Sequence, residues 1–342
     1  MHRVLRVAGH EVTGLDTGYF EECGGASVSP DIPAIRKDIR DVTTRDLEGF
    51  DAVVHLAGLC NDPLSDLNPR CTFEINHAAS CHLAQTAKAA GAQRFLFASS
   101  CSLYGKADDR ILAEDAPLQP LTAYAASKVR AESDLAQMAS DDFSPVFMRS
   151  ATAYGMSPRL RADLVLNNLV CWACTTGKIR IMSDGLAWRP IVHVEDISNA
   201  FAAVLAAPRS AIHNQAFNVG VNEENYRVRE LAEIVRDVVP QCEVEYAQHG
   251  NHDPRSYRVS FDKLAHVLHF VPKWNARRGA DELYKGLEKA GITSASFQGP
   301  QFTRLAQLKY LLSTTQLDDT LRWKNHPANE WLPPVARAEI KS

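Results

Sequence analysis

Arg94-Phe-Leu-Phe-Ala-Ser-Ser-Cys-Ser-Leu-Tyr-Gly105 is the stretch that best indicates how this chain folds. Its first half is an apolar run of strand length, which is typical of a buried strand. Its second half is a small, polar turn. The segment therefore predicts a buried strand whose carboxyl end carries the hydroxyls of Ser99, Ser100 and Ser102.

The next predicted helix carries Tyr124-Ala-Ala-Ser-Lys128, in which the phenol and the ammonium lie one turn apart on the same face. A hydroxyl, a phenol and an ammonium can thus converge on one substrate oxygen. An ordinary tyrosine has a pKa of about 10, so ionising it near pH 7 requires roughly 4 kcal/mol, part of which a neighbouring lysine supplies. The pattern favours a catalytic base for a sugar or alcohol hydroxyl. The alternative is an exposed helical pair, because this spacing also arises by chance.

Composition disfavours several classes of protein. The chain has 342 residues, 45% of them hydrophobic, and a net charge of −4, without a long basic run for nucleic acid or an anionic membrane. No apolar run approaches about 18 residues, and the first residues lack the hydrophobic region of a signal peptide. We therefore expect a soluble, cytoplasmic protein that binds neither nucleic acid nor membrane.

Eight scattered cysteines are expected to be reduced thiols, which fits a cytoplasmic protein. Cys171-Trp-Ala-Cys174 has the spacing of a redox motif or of half a zinc site. No second Cys or His pair follows at a matching spacing, and the segment looks helical. We therefore interpret these cysteines as buried thiols and predict no metal site.

The first half of the chain alternates short apolar strands with helices, which indicates an α/β fold with a doubly wound parallel sheet. Predicted strands cover 11–15, 52–56, 95–98 and 145–148, and predicted helices cover 69–90 and 122–139. Ligands of such sheets bind outside the carboxyl ends of the strands. The second half predicts a strand at 216–220, helices at 229–239, 280–290 and 303–312, and a smaller lobe that closes over a substrate.

The order and spacing of these motifs resemble the extended short-chain dehydrogenases/reductases of the NAD-dependent epimerase/dehydratase family, from about residue 9 to residue 263. The resemblance implies a Rossmann-like sheet, NAD as cofactor, a nucleotide-sugar as substrate, and a homodimer that pairs helices 69–90 and 122–139. A cationic nicotinamide ring would add to the charge that ionises Tyr124. The implied domains are a cofactor domain at 1–165, with returns at about 188–220, and a substrate lobe at 166–187 and 221–342.

One part of the family pattern is absent from this sequence, namely the opening strand and its Gly-x-x-Gly-x-x-Gly loop, which holds the dinucleotide pyrophosphate. The segment Met1-His-Arg-Val-Leu-Arg-Val-Ala-Gly-His-Glu-Val-Thr-Gly-Leu-Asp16 matches the second half of the family's first helix and its second strand. Gly24-Gly25 follows too late to substitute. We expect a truncated or mis-started reading frame, with a real loss of cofactor binding as the alternative. We predict that this chain binds NAD weakly or not at all.

The resemblance also assigns residues to the cofactor. Asp16 would hold the adenosine ribose hydroxyls and favour NAD over NADP, because a carboxylate repels a 2′-phosphate. The alternatives are a loop-capping role for Asp16, strand-end packing for residues 56–58, and a structural role for Asn76. The implied cofactor-binding residues are Asp16, Asp38, Ile39, Leu56, Ala57, Gly58, Asn76, Tyr124 and Lys128.

On the substrate side, Ser100 lies where the family places the hydroxyl that binds the reacting sugar oxygen. Sugar dehydratases of the family follow that residue with an Asp-Glu pair, but here Cys101-Ser102 follows it, so dehydration is disfavoured. Cys101 is expected to pack away from the sugar, and His193 is expected to be structural. The implied substrate-binding residues are Ser102, Thr152, Asn168, Arg189 and Arg255, the last in Asp253-Pro-Arg-Ser-Tyr257.

Both arginines suit a diphosphate, since a guanidinium offers paired donors, although surface salt bridges are the alternative. Thr152 stands where the family usually has Asn, which leaves the nucleotide and the sugar open. The sequence thus predicts a UDP-hexose 4-epimerase type of enzyme with the catalytic residues Ser100, Tyr124 and Lys128. A nucleotide-sugar reductase with the same residues, or a non-catalytic member with a defective cofactor site, are the alternatives.

Overall fold

The computed structural model describes residues 1–24, 33–246, 255–324 and 330–332. Gly25 and Asp253, which the sequence analysis named, lie outside them. The strands are β1 Gly14–Asp16, β2 Ala34–Arg36, β3 Ala52–His55, β4 Arg94–Ser100, β5 Lys106–Leu112, β6 Ser144–Ser150, β7 Thr152–Tyr154, β8 Lys178–Ile181, β9 Trp188–His193, β10 Gln215–Val219, β11 Asn225–Arg227, β12 Glu243–Tyr246, β13 Ser256–Val259 and β14 Glu330–Leu332.

The main sheet is parallel, with its four strands in the order β10-β6-β4-β3. The strand predicted from the opening stretch is β4, and it lies inside this sheet between β6 and β3. It extends beyond the predicted 95–98, because Ser99 and Ser100 still pair with Arg149 and Ser150 of β6. Its apolar half is fully buried. The α/β fold with parallel, Rossmann-like sheets is therefore confirmed.

A second, smaller sheet contains β1 and β2, which are parallel, and β14, which is antiparallel to β2. Among the described strands, β1 pairs only with β2, and β3 pairs only with β4. The break between the two sheets therefore falls between β1 and β3. In a doubly wound sheet of order 3-2-1-4, this is the place of the first strand, which the sequence analysis found missing. β1 is also shorter than the predicted strand at 11–15.

The helices connect the strands in the predicted alternation. They are α1 His2–Val7, α2 Asp62–Leu67, α3 Pro69–Phe73, α4 Ala79–Ala89, α5 Ala123–Ala136, α6 Val165–Thr176, α7 Val194–Ala206, α8 Arg209–Ile212, α9 Val228–Val238, α10 Asp262–Leu268, α11 Ala276–Ala290, α12 Ser294–Gln298 and α13 Arg304–Ser313. α5 begins at the residue after Thr122. The Thr122 hydroxyl accepts a hydrogen bond from the Ala125 N–H (3.2 Å) and thereby caps the helix.

The predicted helix 69–90 is interrupted by a π-helical turn at Glu74–Ala78. This wider turn contains Asn76, whose side chain is fully buried. The Asn76 amide binds the backbone of Leu59 twice, through Oδ1 (2.7 Å) and Nδ2 (2.9 Å), and also donates to the Ser127 hydroxyl (3.2 Å). The turn thus ties the loop after β3 to α5. Such π turns often occur at functional sites.

Two of the apolar cores in the described part of the chain involve different helices. The first lies under the main sheet and includes Phe95 and Phe97 of β4. The second joins α6, α9 and α11. α13 packs into the first core through Leu308 and Leu311, whereas the sequence analysis placed all of 221–342 in the substrate lobe. The reason is that the apolar side of α13 faces the cofactor domain, a choice of partner that helical periodicity alone does not reveal.

None of the helices in the described part of the chain is both long enough and apolar enough to cross a membrane.

Candidate active site

The carboxyl end of β4 leads into a single 3₁₀ turn, Cys101–Tyr104, and brings three serines together. The Ser100 hydroxyl accepts a hydrogen bond from the Ser102 N–H (3.1 Å) and is also hydrogen-bonded to the Tyr124 side chain. The hydroxyl oxygens of Ser99 and Ser102 are buried and have no hydrogen-bond partner within the described residues. Unpaired buried hydroxyls are costly, so this strand end suits a polar ligand.

Tyr124 is half-buried in the first turn of α5. Burial raises the pKa of Tyr124 to about 12, and the Cys60 thiol adds to this effect. The hydrogen bond from Ser100 and the positive charge of Arg161 oppose it. The phenol is therefore neutral at pH 7 in the free protein. Lowering its pKa to 7 requires roughly 7 kcal/mol of additional stabilisation of the phenolate.

Lys128 is buried one turn below Tyr124. Its Nζ donates a hydrogen bond to the Ala98 carbonyl (2.8 Å) and lies 4.4 Å from the centre of the Phe97 ring. Burial lowers the pKa of Lys128 to about 8. Lys128 is predicted from the sequence to favour the ionised phenol. In this structure the charge of Arg161 also lowers the pKa of Tyr124.

Arg161 and Cys60 are site residues that the sequence analysis missed. Arg161 lies in the loop between β7 and α6, where its guanidinium donates to the Cys60 sulfur (3.1 Å) and to the Asp163 carboxylate (2.9 Å). No motif marks either residue, because the loop and the segment after β3 meet only in the folded chain. The sequence offered one indication of a role for Cys60, which is that it lies two residues after the predicted cofactor-binding residue Gly58.

The loop after β3 fits a dinucleotide. Gly58 has a φ of +152°, and a Cβ there would lie 2.9 Å from the Asn76 Oδ1 and 3.8 Å from the Lys128 Nζ. The predicted segment thus passes closely over both side chains, and Asn76 has the structural role given as the alternative. Ala57 is half-buried and Leu56 is 48% exposed, which leaves the segment accessible.

The other predicted cofactor residues form contacts within the protein or are buried. Asp16 is exposed at the end of β1, and its Oδ1 accepts a hydrogen bond from the Gly18 N–H (2.7 Å), which is the loop-capping arrangement. Its second oxygen is available for a ribose. Asp38 is paired with the Arg40 guanidinium (2.6 Å), and Ile39 is buried. No turn with the Gly-x-x-Gly-x-x-Gly pattern joins a strand to a helix in the described segments.

Two arginines predicted to bind the diphosphate lie together. The Arg189 Nη1 donates to the Arg255 carbonyl (2.6 Å) and to the Trp188 carbonyl (2.7 Å). The Arg255 guanidinium forms an ion pair with Asp62, whose other oxygen accepts a hydrogen bond from the Thr122 hydroxyl (2.6 Å). Arg255 is thus linked through Asp62 to the N-terminus of α5.

Tyr257 is a buried residue near these arginines that sequence reasoning missed. Burial raises the pKa of Tyr257, and the charges of Arg189 and Arg255 oppose this, while Tyr124 also acts on it. The charges of Arg189 and Arg255 are thus near the Tyr257 phenol.

The remaining predicted residues are not brought into this cluster by any hydrogen bond. Thr152 is half-buried on β7, beside Ile191 of β9. The Asn168 Nδ2 donates to the Ala162 carbonyl (2.9 Å), which is a structural contact. His193 stacks on Trp274, with ring centres 3.9 Å apart, and its Nε2 lies 2.9 Å from Glu282, so it has the structural role expected of it.

The model of the NAD dependent epimerase/dehydratase family matches residues 1–220. The chain belongs to this family. Among curated relatives, it is 27% identical to a UDP-glucose 4-epimerase of Corynebacterium glutamicum over 286 residues, which cover 79% of this chain and 86% of the relative. It is 26% identical to a dTDP-D-glucose 4,6-dehydratase of Mus musculus over 236 residues, which cover 67% of this chain and 65% of that relative.

Solved structures show the same fold. The NAD-dependent NDP-hexosamine 5,6-dehydratase TunA superposes with a TM-score of 0.75 at 23% identity, over 84% of this chain and 92% of that one. MoeE5 in complex with UDP-glucose and NAD superposes with a TM-score of 0.70 at 25% identity, over 85% of this chain and 95% of that one. The family is NAD-dependent and acts on sugars, and the structures similar to this chain include complexes with NAD and with nucleotide-sugars.

The two residues after Ser100 are Cys101 and Ser102. Cys101 is fully buried, and its thiol donates to the Arg149 carbonyl (3.1 Å), as expected of a residue that packs away from a substrate. The turn Cys101–Tyr104 therefore contains a hydroxyl at Ser102 but no carboxylate that could act as a general acid or base.

Proposed function

We propose that this chain is built for nucleotide-sugar epimerisation of the UDP-hexose 4-epimerase type. The observation that carries the proposal is the hydrogen-bonded Ser100–Tyr124 pair at the end of β4, in a turn that lacks the dehydratase carboxylates. The relatives named UDP-glucose 4-epimerase, at 27–28% identity, support it.

In this proposal, Tyr124 first loses its own proton to solvent, and the resulting phenolate takes the proton of the sugar hydroxyl, while Ser100 donates a hydrogen bond to the reacting sugar oxygen. NAD, when bound, would supply reversible hydride transfer at the sugar carbon. Tyr124 then gives the proton back. Arg189 and Arg255 hold the diphosphate, and the C-terminal lobe excludes water around the reacting sugar.

Tyr124 and Lys128, whose pKa values are shifted, have different parts in the proposed proton transfer. A neutral phenol with a pKa of about 12 is a poor base until positive charge accumulates beside it. Arg161 is the positive charge already present there. Lys128, with a pKa of about 8, is cationic at pH 7 and can exchange its proton near neutral pH.

We propose that this chain binds NAD weakly, because none of its described turns has the Gly-x-x-Gly-x-x-Gly pattern. Asp16 would hold the ribose hydroxyls, and the segment around Gly58 would pass the pyrophosphate. Asp38 would need to leave Arg40 to contact adenine. Calorimetric titration of NAD into this chain tests the point, and a dissociation constant in the low micromolar range would contradict it.

The activity is tested by comparing wild type, Tyr124→Phe and a matched control, Tyr310→Phe, which alters an exposed tyrosine on α13. With saturating NAD, we expect conversion of UDP-glucose to UDP-galactose without net NADH formation. Tyr124→Phe should lower kcat about 10²- to 10⁴-fold, and Tyr310→Phe should leave it unchanged. Stoichiometric consumption of NAD would indicate a reductase or dehydrogenase instead. If NAD binds but no sugar reacts, the epimerase proposal is wrong.

A homodimer formed by the helices α3, α4 and α5, in a cytoplasmic setting, is part of the proposal. The eight cysteines support this setting because all are free thiols. Sedimentation at several protein concentrations distinguishes a dimer from a monomer.

A further inference from the structure

A cluster of three metal-ligating side chains lies outside the candidate active site, on the surface formed by the π turn, α4 and α5. It consists of His77, Cys81 and Asp134, whose donor atoms all lie within 4.8 Å of one another. The His77 Nε2 is 2.6 Å from the Asp134 Oδ2, and the Cys81 sulfur is 4.0 Å from the same oxygen.

The sequence builds this cluster from two segments. His77 and Cys81 are four residues apart and therefore lie on the same side of adjacent turns, with His77 in the π turn. Asp134 comes from the last turns of α5, ten residues after Tyr124, which is about 15 Å along the helix. The cluster is thus separate from the catalytic end of α5.

The geometry is close to that of a tetrahedral zinc site. Ideal Zn–N, Zn–O and Zn–S bonds would place the nitrogen and oxygen about 3.3 Å apart, and the sulfur and oxygen about 3.6 Å apart. The observed nitrogen–oxygen separation of 2.6 Å is shorter than the ideal value, and the observed sulfur–oxygen separation of 4.0 Å is longer. Small side-chain rotations suffice, since His77 and Cys81 are half-buried and Asp134 is 47% exposed.

Charge also favours a divalent cation. A thiolate, a carboxylate and a neutral imidazole together carry two negative charges, which one Zn²⁺ balances. A bound cation favours the thiolate form of Cys81, and the thiol proton is released to solvent on binding.

We propose that His77, Cys81 and Asp134 form a site for one Zn²⁺, with water in the fourth position. The ion joins the π turn to α5, the two segments that also position Asn76 and Tyr124. Because no cofactor residue takes part, Zn²⁺ binding can be measured separately from catalysis, although α4 and α5 also belong to the proposed dimer.

Titration of Zn²⁺ into the full chain, first freed of metal with a chelator, tests the proposal. We expect one ion per chain with a dissociation constant in the micromolar range or below. Cys81→Ser should weaken binding at least about tenfold, because a thiolate ligand is lost. The control Cys174→Ser, which changes another half-buried cysteine, should bind as the wild type does.

Substitution with Co²⁺ provides a second measurement that does not depend on affinity. The wild type and Cys174→Ser should show a sulfur-to-cobalt charge-transfer band, and Cys81→Ser should lack it. Equal binding by Cys81→Ser, or a cobalt spectrum without sulfur ligation in the wild type, overturns the proposal. In that case His77 and Asp134 form an ordinary ion pair. Far-UV circular dichroism of each variant establishes that the comparison is made between folded proteins.

Discussion

Replacing Lys128 with methionine is expected to change the pH dependence of stability. The pKa of Lys128 is about 8 in the folded protein and 10.5 for an ordinary lysine, so the unfolded chain holds more protons between these two values. The free energy of unfolding of the wild type should therefore rise with pH across this window. At pH 7 the buried charge costs about 3 kcal/mol, since one pKa unit corresponds to 1.36 kcal/mol.

Methionine removes this cost and also the hydrogen bond to the Ala98 carbonyl, which is worth about 1 kcal/mol. The variant should thus be more stable than the wild type by about 2 kcal/mol at pH 7. Between pH 8 and pH 10 the wild type should regain about 2 kcal/mol relative to the variant, because Lys128 is neutral in the folded protein there. Urea denaturation of both proteins at pH 7, 8, 9 and 10 measures the difference, and the other titrating groups cancel.

Lys88→Met is the matched control. The Lys88 Nζ also donates to a backbone carbonyl, that of Met138 (3.0 Å), and lies 5.7 Å from the centre of the Phe143 ring, but the side chain is only half-buried. Its substitution removes a lysine with the same kind of backbone contact from a less buried position, and both variants are measured over the same pH range. Parallel profiles for Lys128→Met would refute the reasoning, because they would mean that burial does not disfavour the Lys128 charge.

Two other substitutions address the ion pairs of the site. Glu132→Gln leaves the buried Arg149 guanidinium without its counter-charge and should lower the free energy of unfolding, measured in urea, by about 3–5 kcal/mol. As a control, Asp281→Asn breaks an exposed helical pair with Lys285 and should lower the free energy of unfolding by less than about 1 kcal/mol. Equal effects would show that burial of the Arg149 pair is unimportant. Asp62→Asn removes the negative charge beside Arg255, and the more positive site should bind UDP-glucose up to about fivefold more tightly by calorimetry, the equivalent of roughly 1 kcal/mol. Weaker binding would mean that Asp62 positions Arg255 for the substrate.

The local parts of the site were predictable from the sequence. An apolar run that ends in serines determines both the strand β4 and the hydroxyls at its end, and a four-residue spacing places Tyr124 and Lys128 on one face of α5. These inferences depend on periodicity within one element. The parallel order of the sheet followed from the alternation of strands and helices.

The contacts between elements were not predictable. The sequence gives no sign that the Lys128 ammonium turns to the Ala98 carbonyl, or that Arg161 approaches Tyr124 from a loop between β7 and α6. Asp62 was missed because its role depends on Arg255, which lies 193 residues away. The π turn was missed because a buried amide, Asn76, determines it through long-range hydrogen bonds rather than through helix propensity.

The break between β1 and β3 bears on how this chain behaves at high concentration. The outer edge of β3 has no strand beside it among the described residues, and Ala52, Val53 and Val54 are all half-buried. A bare edge of a parallel sheet offers its amide and carbonyl groups to any extended peptide, and natural proteins usually cover or charge such edges. Here the edge combines small and β-branched apolar side chains with no lysine or proline. A strand of the same molecule that paired with the edge of β3 would therefore keep the protein dispersed. If the strand came from another molecule, the protein would self-associate through its sheet.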